Sequence, residues 1–166
     1  ALPISKALYK LKSHQNLLPE DNAKIACDIE MNKCGFPVGK QDQYAASYGG
    51  FNLFEFHKNG SVLIDRLPIN NSWIKLESNL LLVYSGKGRS ANKILQKQKE
   101  ASEDIVKFNL IAKGRDKAHQ AQKYYLRGDL DSFGALLHEA WEDKKKIVSE
   151  ISQDYFDMVY DKAINS

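Results

Sequence analysis

A chain of 166 residues suffices for one hydrophobic core or for parts of two small domains. With 43% hydrophobic and 27% charged residues it is neither disordered nor fibrous. The formal charge of +3 is mild, and basic residues mostly sit among acidic ones, as in EAWEDKKKIVSE, which argues against nucleic-acid binding.

No apolar run reaches the length of a membrane span and no secretory leader pattern is seen, so the expectation is a cytoplasmic protein with no membrane or nucleic-acid partner. Cys27 and Cys34 have the wrong spacing for a CxxC redox or zinc pair and are expected to stay reduced.

The opening ALPISKALYKLKS carries Ile4, Leu8 and Leu11 at helical spacing. A second helix is expected over LPEDNAKIACDIEMNKC. Pro19 suits its first turn, Glu20 and Asp21 favour its positive end, and Gly35 and Pro37 stop it. Another helix can begin at Gln41. FNLFEFHKNGSVLIDRLPI then alternates with period two around Asn59-Gly60, a strong hairpin signal. The continuous apolar run in NLLLVYSG is consistent with a strand buried on both faces. From Ser90 onward the pattern is helical, with breaks expected at Gly114 and Gly128. The composition shift places a domain boundary near residue 85, giving segments 1–84 and 85–166 in an α+β fold.

P-loop, protein-kinase and GxSxG motifs are all absent, and His14, His57, His119 and His138 lack metal-ligand spacing. RGD at Arg127 to Asp129 reads as a helix-ending turn. In YSGKGRSANKILQKQ, a Gly-rich turn with Lys87 and Arg89 precedes a helix start at Ser90, which suits either an anion site or an ordinary capped turn.

The most polar stretch, GKQDQ, lies at a helix start. Asp42 in a first turn could orient or deprotonate a hydroxyl nucleophile, with Lys40, Gln41 and Gln43 holding a polyhydroxylated ligand; equally, an acid there simply suits the helix dipole. Glu30, near the end of the preceding helix, could bind Mg²⁺ or pair with Lys33.

IEMNKCGFPVGKQDQYAASYGGFNLFEF and LLLVYSGKGRSANKILQKQ together resemble the GHMP sugar kinases, and the similarity extends through GDLDSFGALLHEAW. The resemblance implies a two-domain GHMP fold, truncated at both ends. Residues 1–84 would be the C-terminal part of its N-terminal domain, and 85–166 the helical part of its C-terminal domain. It also implies ATP-dependent transfer to a sugar, with ATP, Mg²⁺ and a sugar phosphate as ligands. For the subgroup most alike, the acceptor is the anomeric hydroxyl of a heptose 7-phosphate, on the route to nucleotide-activated heptose and surface polysaccharide. By this resemblance Asp42 is the catalytic acid-base, and Lys40, Gln41 and Gln43 contact the sugar. Tyr84, Gly86, Arg89 and Ser90 hold a substrate phosphate, and Glu30 lies near Mg²⁺. The family's two Gly-rich motifs, which cradle ATP, are not in these residues, so the stretch alone is expected to be inactive. A fucokinase- or galactokinase-like enzyme, or a non-catalytic sugar-phosphate-binding relative, are the alternative expectations.

Overall fold

The computed structural model describes residues 2–84 and 91–165. They fall into two compact units, Ala1–Pro68 and Ile69–Ser166.

In the first unit, α1 (Leu2–Ser13) leads to α2 (Pro19–Cys27), where Pro19, Glu20 and Asp21 occupy the first turn as expected. The helix then widens into a π turn over Asp28–Lys33, closed by Cys34 N–H donating to Ile29 C=O at 2.9 Å. Next comes α3 (Gln41–Tyr48), followed by strands β1 (Asn52–Phe56) and β2 (Val62–Arg66). These pair antiparallel, with Phe54 opposite Ile64 and Phe56 opposite Val62. Asn59 holds the hairpin turn, its Oδ1 accepting from Ser61 N–H at 3.0 Å and from Ser61 Oγ at 2.7 Å.

Period-two alternation puts Phe54, Val62 and Ile64 on the inner face of the hairpin, where they pack against Ala23, Cys27 and Tyr44 of α2 and α3. Leu63, on the outer face, is exposed. A buried amide completes this core: Asn22 accepts from Ser5 Oγ at 2.9 Å and donates Nδ2 to Ser47 Oγ at 3.0 Å, tying α1, α2 and α3 together.

The second unit is helical: α4 (Asn71–Ser78), α5 (Ala91–Ala101), α6 (Ile105–Arg127), α7 (Leu130–Ile147) and α8 (Asp154–Ile164). Asn70, Asp104 and Asp129 cap α4, α6 and α7 by accepting from backbone N–H groups of the first turn. Ile147, Val148 and Ile151 form a core with Ile94, Leu110, Ile111 and Trp141.

Two expectations need correction. Gly128 ends α6 in a left-handed conformation as expected, but Gly114 lies inside α6. A lone helical glycine costs only about 1 kcal/mol relative to alanine, which a 23-residue helix absorbs. The buried strand expected in NLLLVYSG is not formed over its described residues, 79–84. Leu81, Leu82 and Tyr84 are 87%, 99% and 89% exposed and carry no regular structure. A strand exists only where neighbouring backbone satisfies its N–H and C=O groups, and β1 and β2 are the only strands among the described residues. By packing, the two units divide after Pro68, and α4 packs on α6 and α7 within the second.

Candidate functional site around Gln41–Tyr48

The Gly39–Gln43 stretch enters α3 with Lys40 at its N-cap position. Helical geometry then sorts the polar cluster: Gln41 and Asp42 are exposed, whereas Gln43 and Tyr44 turn inward, each 3% exposed. Tyr44 is the anchor. Its ring stacks on Tyr48 with centroids 6.1 Å apart and meets Phe54 and Phe56 edge-on at 6.3 and 5.6 Å. These contacts fix α3 on the hairpin and so set where Asp42 is presented.

Gly49 and Gly50 end the helix with φ of +60° and +72°, a region that favours glycine, and redirect the chain into β1. Gly39 has no atom within 4 Å of the position a Cβ would take, so its side is open.

Asp42 makes no side-chain hydrogen bond or ion pair among the described residues, and neither does Gln41. Lys40 is half-buried and pairs with neither Asp42 nor any other carboxylate among them. It lines a cavity of about 340 Å³ together with Cys27, Asp28, Met31 and Tyr44. Burial pushes the Cys27 thiol pKa up; Lys40 opposes that shift and Glu30 adds to it, so both charges act on the same buried sulfur. Cys27 and Cys34 are free thiols, as expected.

Glu30 reaches the polar cluster through an unexpected partner. Lys33 pairs with Asp28 at 3.3 Å, across the π turn, leaving Glu30 to accept from Gln43 Nε2 at 2.5 Å. Burial of a glutamine inside GKQDQ has no signal in composition or spacing; only the fold shows it. No set of three or more His, Cys, Asp or Glu residues gathers into a metal site among the described residues. Mg²⁺, however, is commonly held by one or two carboxylates plus substrate phosphates, and Glu30, half-buried and without a paired cation among the described residues, fits that role.

Of the expected phosphate site, Tyr84 is exposed in the irregular segment, and Gly86, Arg89 and Ser90 lie outside the described residues. A second cavity, about 650 Å³ and apolar, lies in the helical unit between α7 and α8, walled by Leu137, Trp141, Tyr155, Phe156 and Tyr160. It holds none of the residues expected to act chemically.

No protein-family model matches the chain. D-glycero-alpha-D-manno-heptose 7-phosphate kinase of Campylobacter jejuni is 32% identical over 146 residues, 87% of this chain and 43% of that protein. A tRNA-cytidine(32) 2-sulfurtransferase of Ruegeria pomeroyi is 28% identical over 144 residues, 84% of this chain and 48% of that protein. Among solved structures, a D-glycero-D-manno-heptose 1-phosphate kinase from Bacteroides thetaiotaomicron superposes with a TM-score of 0.62 at 32% identity, covering 85% of this chain and 40% of that one. A sugar kinase from Campylobacter jejuni gives 0.56 at 28% identity, covering 95% and 44%. The chain thus spans less than half the length of each of these four proteins. Three of these four neighbours are sugar kinases, two of them heptose phosphate kinases.

Proposed function

We propose that the protein containing these residues is an ATP-dependent sugar kinase that phosphorylates the anomeric hydroxyl of a heptose 7-phosphate in the cytoplasm. The reaction would feed synthesis of nucleotide-activated heptose for surface polysaccharide. The observation that supports this reading best is the GKQDQ loop, whose exposed Asp42 stands on a helix anchored by Tyr44, in a chain 32% identical to a heptose 7-phosphate kinase.

In this reading the sugar hydroxyl oxygen attacks the γ-phosphorus of ATP, ADP leaves, and Asp42 orients the hydroxyl and accepts its proton. Lys40 and Gln41 hold the sugar beside it. Glu30 would hold Mg²⁺, which when bound neutralises phosphate charge. Tyr84, Gly86, Arg89 and Ser90 would take the substrate's 7-phosphate. Catalysis of phosphoryl transfer is mostly positioning and charge stabilisation, which a small set of rigidly placed groups can provide. Residues 1–84 and 85–166 are assigned to the N- and C-terminal domains of a GHMP kinase, and the stretch by itself is assigned no activity.

The test is phosphate transfer from ATP by the whole protein, assayed against heptose 7-phosphate, heptose 1-phosphate, fucose and galactose. Heptose 7-phosphate should give the highest kcat/KM. Asp42→Asn should lower kcat at least about a hundredfold with sugar binding kept. Unchanged turnover in Asp42→Asn removes that residue from the mechanism. Preference for fucose or galactose would favour another GHMP sugar kinase, and inactivity on all four would favour a non-catalytic binding relative.

A further inference from the structure

Gln43 is 3% exposed, so it lies beneath the surface that presents Gln41 and Asp42. Its Nε2 donates to Glu30 Oε2 at 2.5 Å across thirteen residues of sequence. The opposite amide orientation would bring two acceptors together, so chemistry fixes the nitrogen on the Glu30 side. The other end of the amide is costly: Gln43 Oε1 is buried and has no hydrogen-bond partner among the described residues. A buried acceptor in that state costs about 1–3 kcal/mol, which an apolar side chain of similar length would avoid. What the amide supplies is a charge-assisted hydrogen bond to a carboxylate that no cation pairs with among the described residues, Lys33 being held by Asp28.

We propose that Gln43 is a positioning residue: it clamps one oxygen of Glu30, leaves the other for a divalent cation, and does not touch the sugar. This departs from the sugar-contact role that family resemblance implies, and it rests on the reading of Glu30 as the Mg²⁺ ligand. An outer-shell donor of this kind removes the carboxylate's rotational freedom before the cation arrives, so its loss shows in metal affinity rather than in substrate affinity.

The experiment compares the whole protein with its Glu30→Gln and Gln43→Met variants. Mn²⁺ binding in the presence of ADP is followed by electron paramagnetic resonance. Heptose 7-phosphate binding is followed by calorimetry with metal and nucleotide both absent. Each substitution should weaken Mn²⁺ binding by about tenfold or more while sugar-phosphate affinity changes by less than about twofold. If Glu30→Gln weakens Mn²⁺ binding and Gln43→Met does not, the positioning role is overturned while the metal reading stands. If Glu30→Gln leaves Mn²⁺ binding unchanged, the metal reading fails and the proposal falls with it. A loss of sugar-phosphate binding in Gln43→Met with Mn²⁺ binding intact makes Gln43 a sugar contact and also overturns the proposal. Gln43→Leu, a second apolar replacement, carries the same expectations should the Met variant not fold.

Discussion

Lys117 on α6 donates to Asp143 on α7 at 2.9 Å, and the two side chains are only 15% and 22% exposed. Glu139 stands 3.5 Å from the same ammonium, and Lys146 reaches the other oxygen of Asp143 at 3.1 Å. Hydrogen bonds from Lys117, and then from Lys146, hold the Asp143 carboxyl below the ordinary carboxylate range. A depressed folded-state pKa contributes stability above the unfolded value, about 3.9, and loses it as the pH falls through the folded one. Asp143→Asn should therefore lower stability at pH 7 by about 1–2 kcal/mol, Glu139 limiting the cost. Urea denaturation at several pH values should show this gap closing below about pH 4.

Tyr44 touches both α2 and the hairpin, so its ring carries much of the first unit's packing. Tyr44→Ala should destabilise that unit by about 3 kcal/mol, within the range seen for large-to-small aromatic substitutions. The more exposed Tyr48, truncated in the same way, should cost less; near-equal costs in chemical denaturation would contradict the anchoring role.

Asn22 is 4% exposed and bridges Ser5 and Ser47. Asn22→Ala removes the shared partner of two hydroxyls inside a three-helix contact. A loss of about 1–3 kcal/mol in thermal or urea unfolding is expected.

Lys40 is a half-buried cation that makes no salt bridge among the described residues, beside the loop assigned to the sugar. Lys40→Gln should raise KM for a phosphorylated sugar by about 10–100-fold, the worth of one charge-assisted hydrogen bond, with a smaller change in kcat. Steady-state kinetics on the whole protein measures it, and an unchanged KM would take Lys40 out of the substrate site.

Leu81 and Leu82 stand 87% and 99% exposed in an apolar run. Replacing both by Asp in the 166-residue chain should leave its unfolding free energy within the scatter of surface substitutions, about 0.5 kcal/mol. Association measured by light scattering should fall, since exposed contiguous apolar surface drives it.

What the sequence made readable was local. Asn59-Gly60 with flanking alternation specifies its own hairpin, and Pro19, Glu20 and Asp21 mark a helix start whatever surrounds them. What failed depends on partners. Leu80–Tyr84 reads as buried because it is apolar, yet burial requires something to lie against. Gly114 reads as a break, yet the capping carboxylate at Asp104 and the contact with α7 carry the helix through it. At the candidate site, the GKQDQ string alone treats its polar residues alike. Only the turn of α3 separates an outward Gln41 and Asp42 from an inward Gln43. Lys33 was the natural partner for Glu30 at helical spacing, and the π turn gave it to Asp28 instead.

That π turn also acts as a spacer. Its i→i+5 bond from Cys34 to Ile29 encloses one more residue than an α turn, so Lys33 meets Asp28 as an i,i+4 partner would in a regular helix. The added residue advances everything downstream by one position. Length at Met31 or Asn32 is thus a variable separate from chemistry. A one-residue deletion there would preserve every charged group and still move Gln43 relative to the Glu30 carboxylate that accepts its hydrogen bond.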